Sequence, residues 1–337
     1  MVEPREGLVK RRLAAIIATA VLVLGHGFVP LAAYAQQTDK LPRVGVLTNA
    51  PLTSAHYAAF RQALRDLGYV EGKNIMLVPK SSQGNTDLFP ELARELAGAN
   101  VNVMVVPGEQ GLRAAKDATG TIPIPIVAMM CDLPDHLMVS LARPGGKATG
   151  VTCMSTQLAS KRVQLLKELV PALVNLAVLY NPEDRTRKSE YKQVQEAANS
   201  LDLTLRAYEI RSLTEIEKAF ALMVEDHAQA VVIFPDVLTT SHQKQLADLT
   251  LKNRLPAIFG FREFVALGGL MSYGSSLHGM WQRAALYADK ILKGADPGDL
   301  PIDQPTRFEL VINLKTAKTL GIEVPASLLV GADELIE

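Results

Sequence analysis

Short apolar runs alternate with amphipathic stretches along most of the chain. The runs are rich in Val, Ile and Leu at successive positions, which is typical of parallel strands buried on both faces. The stretches between them have helical spacing and often end at glycine. Strand, helix, strand, helix in this order predicts βαβ units and a mostly parallel sheet. We predict strands at Val44–Leu47, Ile75–Val78, Val103–Val106, Ile124–Met130, Leu176–Tyr180, Thr204–Tyr208, Ala230–Phe234 and Ala257–Gly260.

The predicted helices fill the intervals between these strands. They are Tyr57–Leu67, Leu88–Ala97, one beginning near Gln110, Thr156–Leu169, Ser189–Ser200, Leu213–Glu225 and Ser241–Asn253. Further along, a helix runs through Trp281 and Leu292 and stops at Gly294, and the extended run Phe308–Val311 precedes a closing helix, Leu314–Leu320.

The pattern repeats after about 130 residues. Val44-Gly45-Val46-Leu47-Thr48-Asn49 is echoed by Leu176-Ala177-Val178-Leu179-Tyr180-Asn181, and three later runs recur in the same order, at offsets of 132, 128, 128 and 131 residues. Four ordered matches predict two similar α/β lobes with a cleft between them. The elements after the second repeat predict that the chain returns to the first lobe and crosses again, with crossings near Gly150–Cys153, Met271–Gly274 and Thr306–Leu310. We therefore assign 42–149 plus 273–306 to an N-terminal lobe and 150–272 plus 307–337 to a C-terminal lobe.

The first 35 residues resemble an export signal and are set aside from the fold. Arg5 and Lys10–Arg12 precede the apolar stretch Leu13–Val29, and Ala33-Tyr34-Ala35 is a small-x-small cleavage site. An uncleaved anchor helix is the alternative, although Gly25 and Pro30 interrupt the apolar run. Cleavage after Ala35 would release the protein into a periplasm.

Composition excludes some function classes. The 337 residues are 48% hydrophobic and 21% charged, which indicates a globular chain of about two domains. The formal net charge of zero argues against a nucleic-acid binder. The two cysteines, Cys131 and Cys153, either pair in an oxidising compartment or are simply buried.

Candidate binding residues follow the predicted strands, because ligands of doubly wound sheets bind beyond the carboxyl ends of the strands. Turns and helix caps also favour Asn, Asp, Gly and Pro, so each residue alone has a local explanation. The candidate ligand-binding residues are Asn49, Ser82, Gly108, Glu109, Gln110, Asp132, Asn181, Asp236, Phe261 and Tyr273.

Catalytic and cofactor motifs are missing from the sequence. The first strand is followed by Thr48-Asn49-Ala50-Pro51, without the glycine fingerprint of a dinucleotide site. Gly-x-Ser-x-Gly, His-Glu-x-x-His and a phosphate-binding glycine loop are also absent, and the histidines after residue 35 show no metal-ligand spacing. We expect no enzyme activity, cofactor or metal.

Several segments resemble the substrate-binding proteins of ABC importers, in the group with tryptophan- and tyrosine-type binding components. They are FRQALRDLGYVEGKNI at 60–75, LARPGGKATGVT at 141–152, FPDVLTT at 234–240, GGLMSYG at 268–274 and QPTRFELVINLKTAKTLGIEVPASLL at 304–329. The resemblance covers roughly residues 42–337. It implies a type I periplasmic-binding-protein fold, with two Rossmann-like lobes joined by a three-crossing hinge and ligand enclosed when the lobes close.

One position departs from the family pattern. Members commonly carry Gly, Ser/Thr, Pro and Ala after the third strand, where helix N–H groups hold a carboxylate. This chain has Gly108-Glu109-Gln110-Gly111. A Glu109 facing the cleft would repel a carboxylate and favour a ligand with a cation or hydroxyls on that side, whereas a Glu109 pointing to solvent would leave the amino-acid assignment intact.

The sequence thus predicts a periplasmic receptor that captures a small solute, an amino acid or related metabolite. Its partners would be an ABC permease and its ATPase, and it would be a monomer that meets the membrane only through the permease. Asp236 would hold an ammonium or hydroxyl group, Asn49, Ser82 and Asn181 would hydrogen-bond polar atoms, and Phe261 or Tyr273 would contact the apolar part. A ligand receptor that reports to a membrane kinase or chemoreceptor would have the same fold. An α/β enzyme such as a sugar-nucleotide epimerase is disfavoured by the missing glycine fingerprint, and a repressor by the export signal.

Overall fold

The computed structural model describes residues 41–337, so the predicted signal peptide over 1–35 lies outside the described residues. The first half of this part of the chain forms a five-stranded sheet in which every neighbouring pair is parallel, in the order β2-β1-β3-β4-β5. Its strands are β1 (Arg43–Thr48), β2 (Met76–Ser81), β3 (Val103–Pro107), β4 (Ile126–Met130) and β5 (Ala148–Thr152).

The second half forms a seven-stranded sheet, and only its edge departs from parallel pairing. The strands are β6 (Asn175–Tyr180), β7 (Thr204–Glu209), β8 (Ala230–Ile233), β9 (Ala257–Phe259), β10 (Met271–Gly274), β11 (Glu309–Asn313) and β12 (Glu334–Ile336). Their order is β12-β11-β10-β9-β8-β6-β7, with β10 and β11 antiparallel.

Helices connect the strands and cover both sheets. They are α1 (Ala55–Asp66), α2 (Phe89–Gly98), α3 (Gly108–Thr119), α4 (Ser155–Leu169), α5 (Arg187–Ser200), α6 (Leu213–Glu225), α7 (Val237–Ser241), α8 (Gln243–Lys252), α9 (Arg262–Ala266), α10 (Leu277–Leu292), α11 (Leu314–Leu320) and α12 (Ala326–Gly331). Two 3₁₀ turns, Thr86–Leu88 and Pro297–Asp299, complete the helical elements of residues 41–337. No helix within 41–337 is both long and apolar enough to span a membrane.

The predicted fold class is confirmed. The order β2-β1-β3-β4 in the first sheet is the order β7-β6-β8-β9 in the second, and the strands that correspond are those whose sequences echo each other. The element bounds differ in places. The helix predicted over Ser241–Asn253 begins at Val237 instead and is divided at His242, because Asp236 caps a short first turn. Helices α9 and α12 and strand β12 were not predicted.

The chain passes between the two sheets three times. Strand β5 lies wholly in the first sheet, and α4 directly after it packs on α5 of the second half. Strand β10 belongs to the second sheet, but α10 returns and packs on α1, where Phe60 and Trp281 meet edge to face with ring centroids 6.1 Å apart. Strand β11 then re-enters the second sheet. The lobe boundaries given above remain a prediction.

Candidate functional site

A cavity of about 60 Å³ lies between the two sheets, where several strands of both end. Strands β1, β3 and β4 contribute the residues that follow them from one side, and β8 and β9 contribute theirs from the other. Helix α10, which returns from the second crossing, closes a further wall with its first turns. The site is thus built from both lobes, at the position where doubly wound sheets bind ligands.

Asp236 supplies an unpaired carboxylate to this cavity. The residue caps α7, and its Oδ1 accepts a hydrogen bond from the backbone N–H of Thr239 at 2.6 Å. Its Oδ2 is buried and has no hydrogen-bond partner among residues 41–337. Burial raises the pKa of Asp236 to about 6. A buried carboxylate oxygen without a partner is costly, so this atom is suited to accept a hydrogen bond from a ligand cation.

Two other titratable residues of the cavity, Asp184 and His56, are either paired with neighbouring groups or uncharged. Asp184 accepts hydrogen bonds from the backbone N–H and the hydroxyl of Thr186, and its Oδ2 lies 3.3 Å from Nε of Arg187. Burial and the neighbouring His278 lower the pKa of His56 to about 4, so its imidazole is neutral at pH 7. Asp236 is therefore the cavity carboxylate whose charge a ligand would meet.

Much of the remaining cavity wall is apolar and aromatic. Trp281 and Phe261 are almost fully buried and line the cavity together with Met280, Met129 and Leu277. Aromatic faces bind apolar groups and also attract cations. The cavity thus offers both a carboxylate and a surface for a flat, apolar group.

Gly108 begins α3 at the point where the two lobes touch. Its φ is +63°, and a Cβ placed there would lie 2.5 Å from Cγ2 of Val237 in the other lobe. The preceding residue, Pro107, has no side chain that could cap α3, so no capping side chain occupies the first N–H groups of this helix. Pro107 and Gly108 both line the cavity. Free N–H groups at a helix N-terminus bind carboxylates. Glycine here permits both the positive φ and the close approach of the second lobe.

Asn49 joins the lobes across the cavity. Its Nδ2 donates to the carbonyl of Val237 at 3.2 Å and to the hydroxyl of Ser241 at 2.8 Å. In this arrangement both amide hydrogens are used between the lobes, so Asn49 links the two lobes in this structure.

A buried ion network lies beside the cavity at the crossings. Arg162 donates to Glu190 at 2.9 Å, to the Ser155 hydroxyl at 2.8 Å and to the carbonyl of Tyr273 at 2.8 Å. Arg187 contacts Glu190 and donates to Asp132 at 2.9 Å. Because Ser155 follows the first crossing and Tyr273 precedes the second, this network ties the hinge segments together.

The structure places the predicted site residues in different surroundings. Four of the ten line the cavity: Asn49, Gly108, Asp236 and Phe261. Asp132 lies at the adjoining cleft and pairs with Arg187, and Asn181 caps the backbone of its own loop through Glu183 N–H. Ser82 and Gln110 are buried away from the cavity, and Tyr273 packs near Phe308. Ligand contacts for all ten remain predictions.

Glu109 faces neither the cavity nor solvent. It is 2% exposed, and its Oε1 accepts from Nη1 of Arg113 at 3.0 Å and lies 3.1 Å from Nε2 of His136. Its Oε2 is buried and has no hydrogen-bond partner among residues 41–337, so these contacts hold the carboxylate through one oxygen.

Sequence reasoning missed several cavity residues. Asp184 lies three residues beyond Asn181, further into the loop than the positions considered. Trp281 and Met280 have helical spacing typical of a core helix, and only the second crossing, which returns α10 to the first lobe, brings them to the cleft. His56 follows the Ser54 cap of α1. The chain's single tryptophan, just after a predicted crossing, was the available signal.

Comparison with known proteins identifies the family. A model of the ABC transporter substrate binding protein family matches residues 43–336. A tyrosine-binding protein of Clostridioides difficile is 24% identical over 292 residues, which cover 86% of this chain and 84% of that protein. The chain belongs to the ABC transporter substrate-binding protein family, which is a family of binding proteins and not of enzymes.

Solved structures show the same fold. A conserved domain protein from Vibrio cholerae matches with a TM-score of 0.80 at 26% identity, over 88% of this chain and 100% of that one. An ABC domain from Streptococcus pneumoniae in complex with L-Trp matches with a TM-score of 0.80 at 24% identity, over 88% of this chain and 99% of that one.

Proposed function

Because the chain belongs to this family, we propose that it is the extracytoplasmic receptor of an ABC importer for an amino acid with an aromatic side chain. The observation that carries the proposal is the pairing of the free Oδ2 of Asp236 with the aromatic wall of Trp281 and Phe261. The named ligands of two similar proteins, tyrosine and L-Trp, support the same class.

Each part of such a ligand has a complementary surface. The ammonium group would donate to Oδ2 of Asp236, which lacks a partner among the described residues. The carboxylate would accept from the first N–H groups of α3 at Gly108, and the ring would lie against Trp281. The negative Asp236 and the positive N-terminus of α3 would together give the site a preference for a zwitterion. The aromatic wall would give it a preference for a flat side chain.

Lobe motion is part of the proposed mechanism. The cavity is much smaller than the roughly 300–1,000 Å³ of typical ligand pockets. A ligand would therefore need the lobes to separate, both for its entry and to enlarge the cavity, and closing again would bring Val237 toward Gly108 and Asn49 toward Ser241. The permease would recognise the closed form, which a ligand stabilises by contacting both lobes. The proposal includes export by the segment 1–35, delivery to a permease and its ATPase, and a monomeric receptor.

Isothermal titration calorimetry of the protein without residues 1–35 would test this function. We expect binding of L-tyrosine or L-tryptophan, weaker binding of L-leucine, and none of sugars. Tyramine, which lacks the carboxylate, and phenylpropionate, which lacks the ammonium group, would both bind more weakly than the amino acid. Absence of binding by every aromatic amino acid, or equal binding of tyramine and tyrosine, would contradict the proposal.

A further inference from the structure

The two cysteines lie side by side at the first crossing between the lobes. Cys131 follows β4 and Cys153 follows β5, and the parallel register of these strands ends at Met130 opposite Thr152. The next two residues in register are the cysteines. The N–H of Cys153 donates to the carbonyl of Met130 at 2.9 Å, so the strands stay paired up to this point.

This spacing suits a disulfide. Neighbouring strands lie about 4.8 Å apart, within the roughly 4.4–6.8 Å that a disulfide spans between Cα atoms. The thiol of Cys153 lies 3.6 Å from the carbonyl oxygen of Cys131, and both side chains are free thiols in this structure. The hydrogen bond to Cys153 and burial raise the pKa of Cys131 well above its usual range.

The two thiols differ in how accessible they are from the interlobe cavity. Cys153 is 1% exposed, whereas Cys131 is only partly buried and lines the interlobe cavity. A reagent that enters the cavity would reach Cys131 and not Cys153. The geometry thus assigns Cys131 as the attacking thiol and Cys153 as the resolving thiol.

We propose that Cys131 and Cys153 are a redox-active pair that closes to a disulfide by exchange with a small disulfide compound admitted to the interlobe cavity. The Cys131 thiolate attacks one sulfur of the compound, its S–S bond breaks, and one thiolate leaves. The Cys153 thiolate then attacks the Cys131 sulfur and releases the second thiolate. Two electrons pass from the pair to the compound, and the two thiol protons end on its two reduced halves.

Formation of the disulfide would affect the ligand cavity and the hinge together. Cys131 is followed by Asp132, which binds Arg187 and the N–H of Thr156 in the other lobe. Cys153 is followed by Met154, whose φ of +56° turns the chain into α4. A covalent link at this point restrains the segment that carries the first crossing, and it turns the Cys131 sulfur from the cavity toward Cys153.

The test uses the reduced, folded protein and 2-hydroxyethyl disulfide at pH 8.5 and not at pH 7, because the pKa of Cys131 is raised and attack needs the thiolate, which a higher pH favours. We expect intact mass spectrometry to show loss of two hydrogen atoms without a retained adduct. Cys153→Ser would accumulate a mixed disulfide on Cys131, and Cys131→Ser would react far more slowly. Peptide mapping of the wild-type protein would locate the bond without relying on the variants. A persistent adduct on the wild-type protein, or two thiols still free after prolonged exposure, would overturn the proposal.

A second arm adds L-tyrosine or L-tryptophan during the reaction, and this part rests on the proposed function. A bound ligand would cover Cys131 and slow oxidation at least several-fold. If calorimetry shows binding and the oxidation rate is unchanged, access through the cavity is wrong. If no ligand binds but the disulfide forms with Cys131 attacking first, the proposed function fails and the redox pair stands.

Discussion

Replacement of Gly108 by alanine tests whether the lobes close as the structure shows. The new Cβ would lie 2.5 Å from Cγ2 of Val237, where carbon atoms prefer about 3.5–4.0 Å. Val237 is 6% exposed, and its β-branched side chain is stiff, so it cannot turn away easily. The clash therefore acts against closure of the lobes.

The magnitude follows from separating two effects. The positive φ of Gly108 costs an alanine about 1–2 kcal/mol, but it does so in open and closed forms alike and lowers only the stability of the fold. The clash exists only in the closed form, and overpacking of this kind costs about 1–3 kcal/mol. Ligand affinity should therefore fall only by the cost of the clash, about 1–3 kcal/mol, which corresponds to about 5- to 150-fold.

The assay is a double-mutant cycle with Gly108→Ala, Val237→Ala and the double variant, each titrated by calorimetry with L-tyrosine and L-tryptophan. Val237→Ala removes the atom that the new Cβ meets, so the double variant should recover most of the lost affinity. Small-angle X-ray scattering of the single variant should show a larger radius of gyration with ligand present than the wild type. Wild-type affinity in Gly108→Ala, or failure of Val237→Ala to restore binding, would refute the contact between the lobes.

Three further predictions concern charge, the hinge network and the aromatic wall. Burial raises the pKa of Asp236 to about 6, and an ammonium ligand needs the ionised form, so affinity should be constant above pH 7 and fall about tenfold per pH unit well below 6. Asp236→Asn, which keeps a capping side chain, should bind weakly with no such pH dependence; an unchanged pH profile would contradict the role of Asp236. Glu190→Gln breaks a fully buried ion pair with Arg162 and should lower the free energy of unfolding by about 3–5 kcal/mol in urea denaturation. The control variant Glu196→Gln, on the exposed face of the same helix, should change the free energy of unfolding by less than about 1 kcal/mol. Because Trp281 is the only tryptophan, binding of L-tyrosine should change the intrinsic tryptophan fluorescence, and Trp281→Phe should remove this signal while calorimetry still detects binding.

The repeat of strand sequences was sufficient to predict the paired sheets. Runs such as Val103–Val106 and Val231–Phe234 are apolar at every position, because parallel strands covered by helices on both faces need apolar residues throughout. The echoed strands occupy equivalent places in the two sheets, so the duplication predicted the likeness of the two sheets, whereas their strand order was not predicted.

The site was less predictable, because side-chain partners come from distant parts of the chain. Asn49 was expected to bind ligand, but its amide donates to residues about 190 positions away on α7. Glu109 was expected at the cleft or in solvent, but His136 and Arg113 hold it in a buried position. Asp236 was predicted at the cavity and lies there, because it lies three residues after the end of the central strand β8.

The most direct test of the central claim is a crystal structure of the protein grown with L-tyrosine or L-tryptophan. We expect ligand between the lobes, with its ammonium nitrogen within hydrogen-bonding distance of Oδ2 of Asp236 and its ring against Trp281. Its carboxylate should meet the N–H groups at the start of α3. A ligand bound elsewhere, or one that leaves Oδ2 of Asp236 without a partner, would contradict the account.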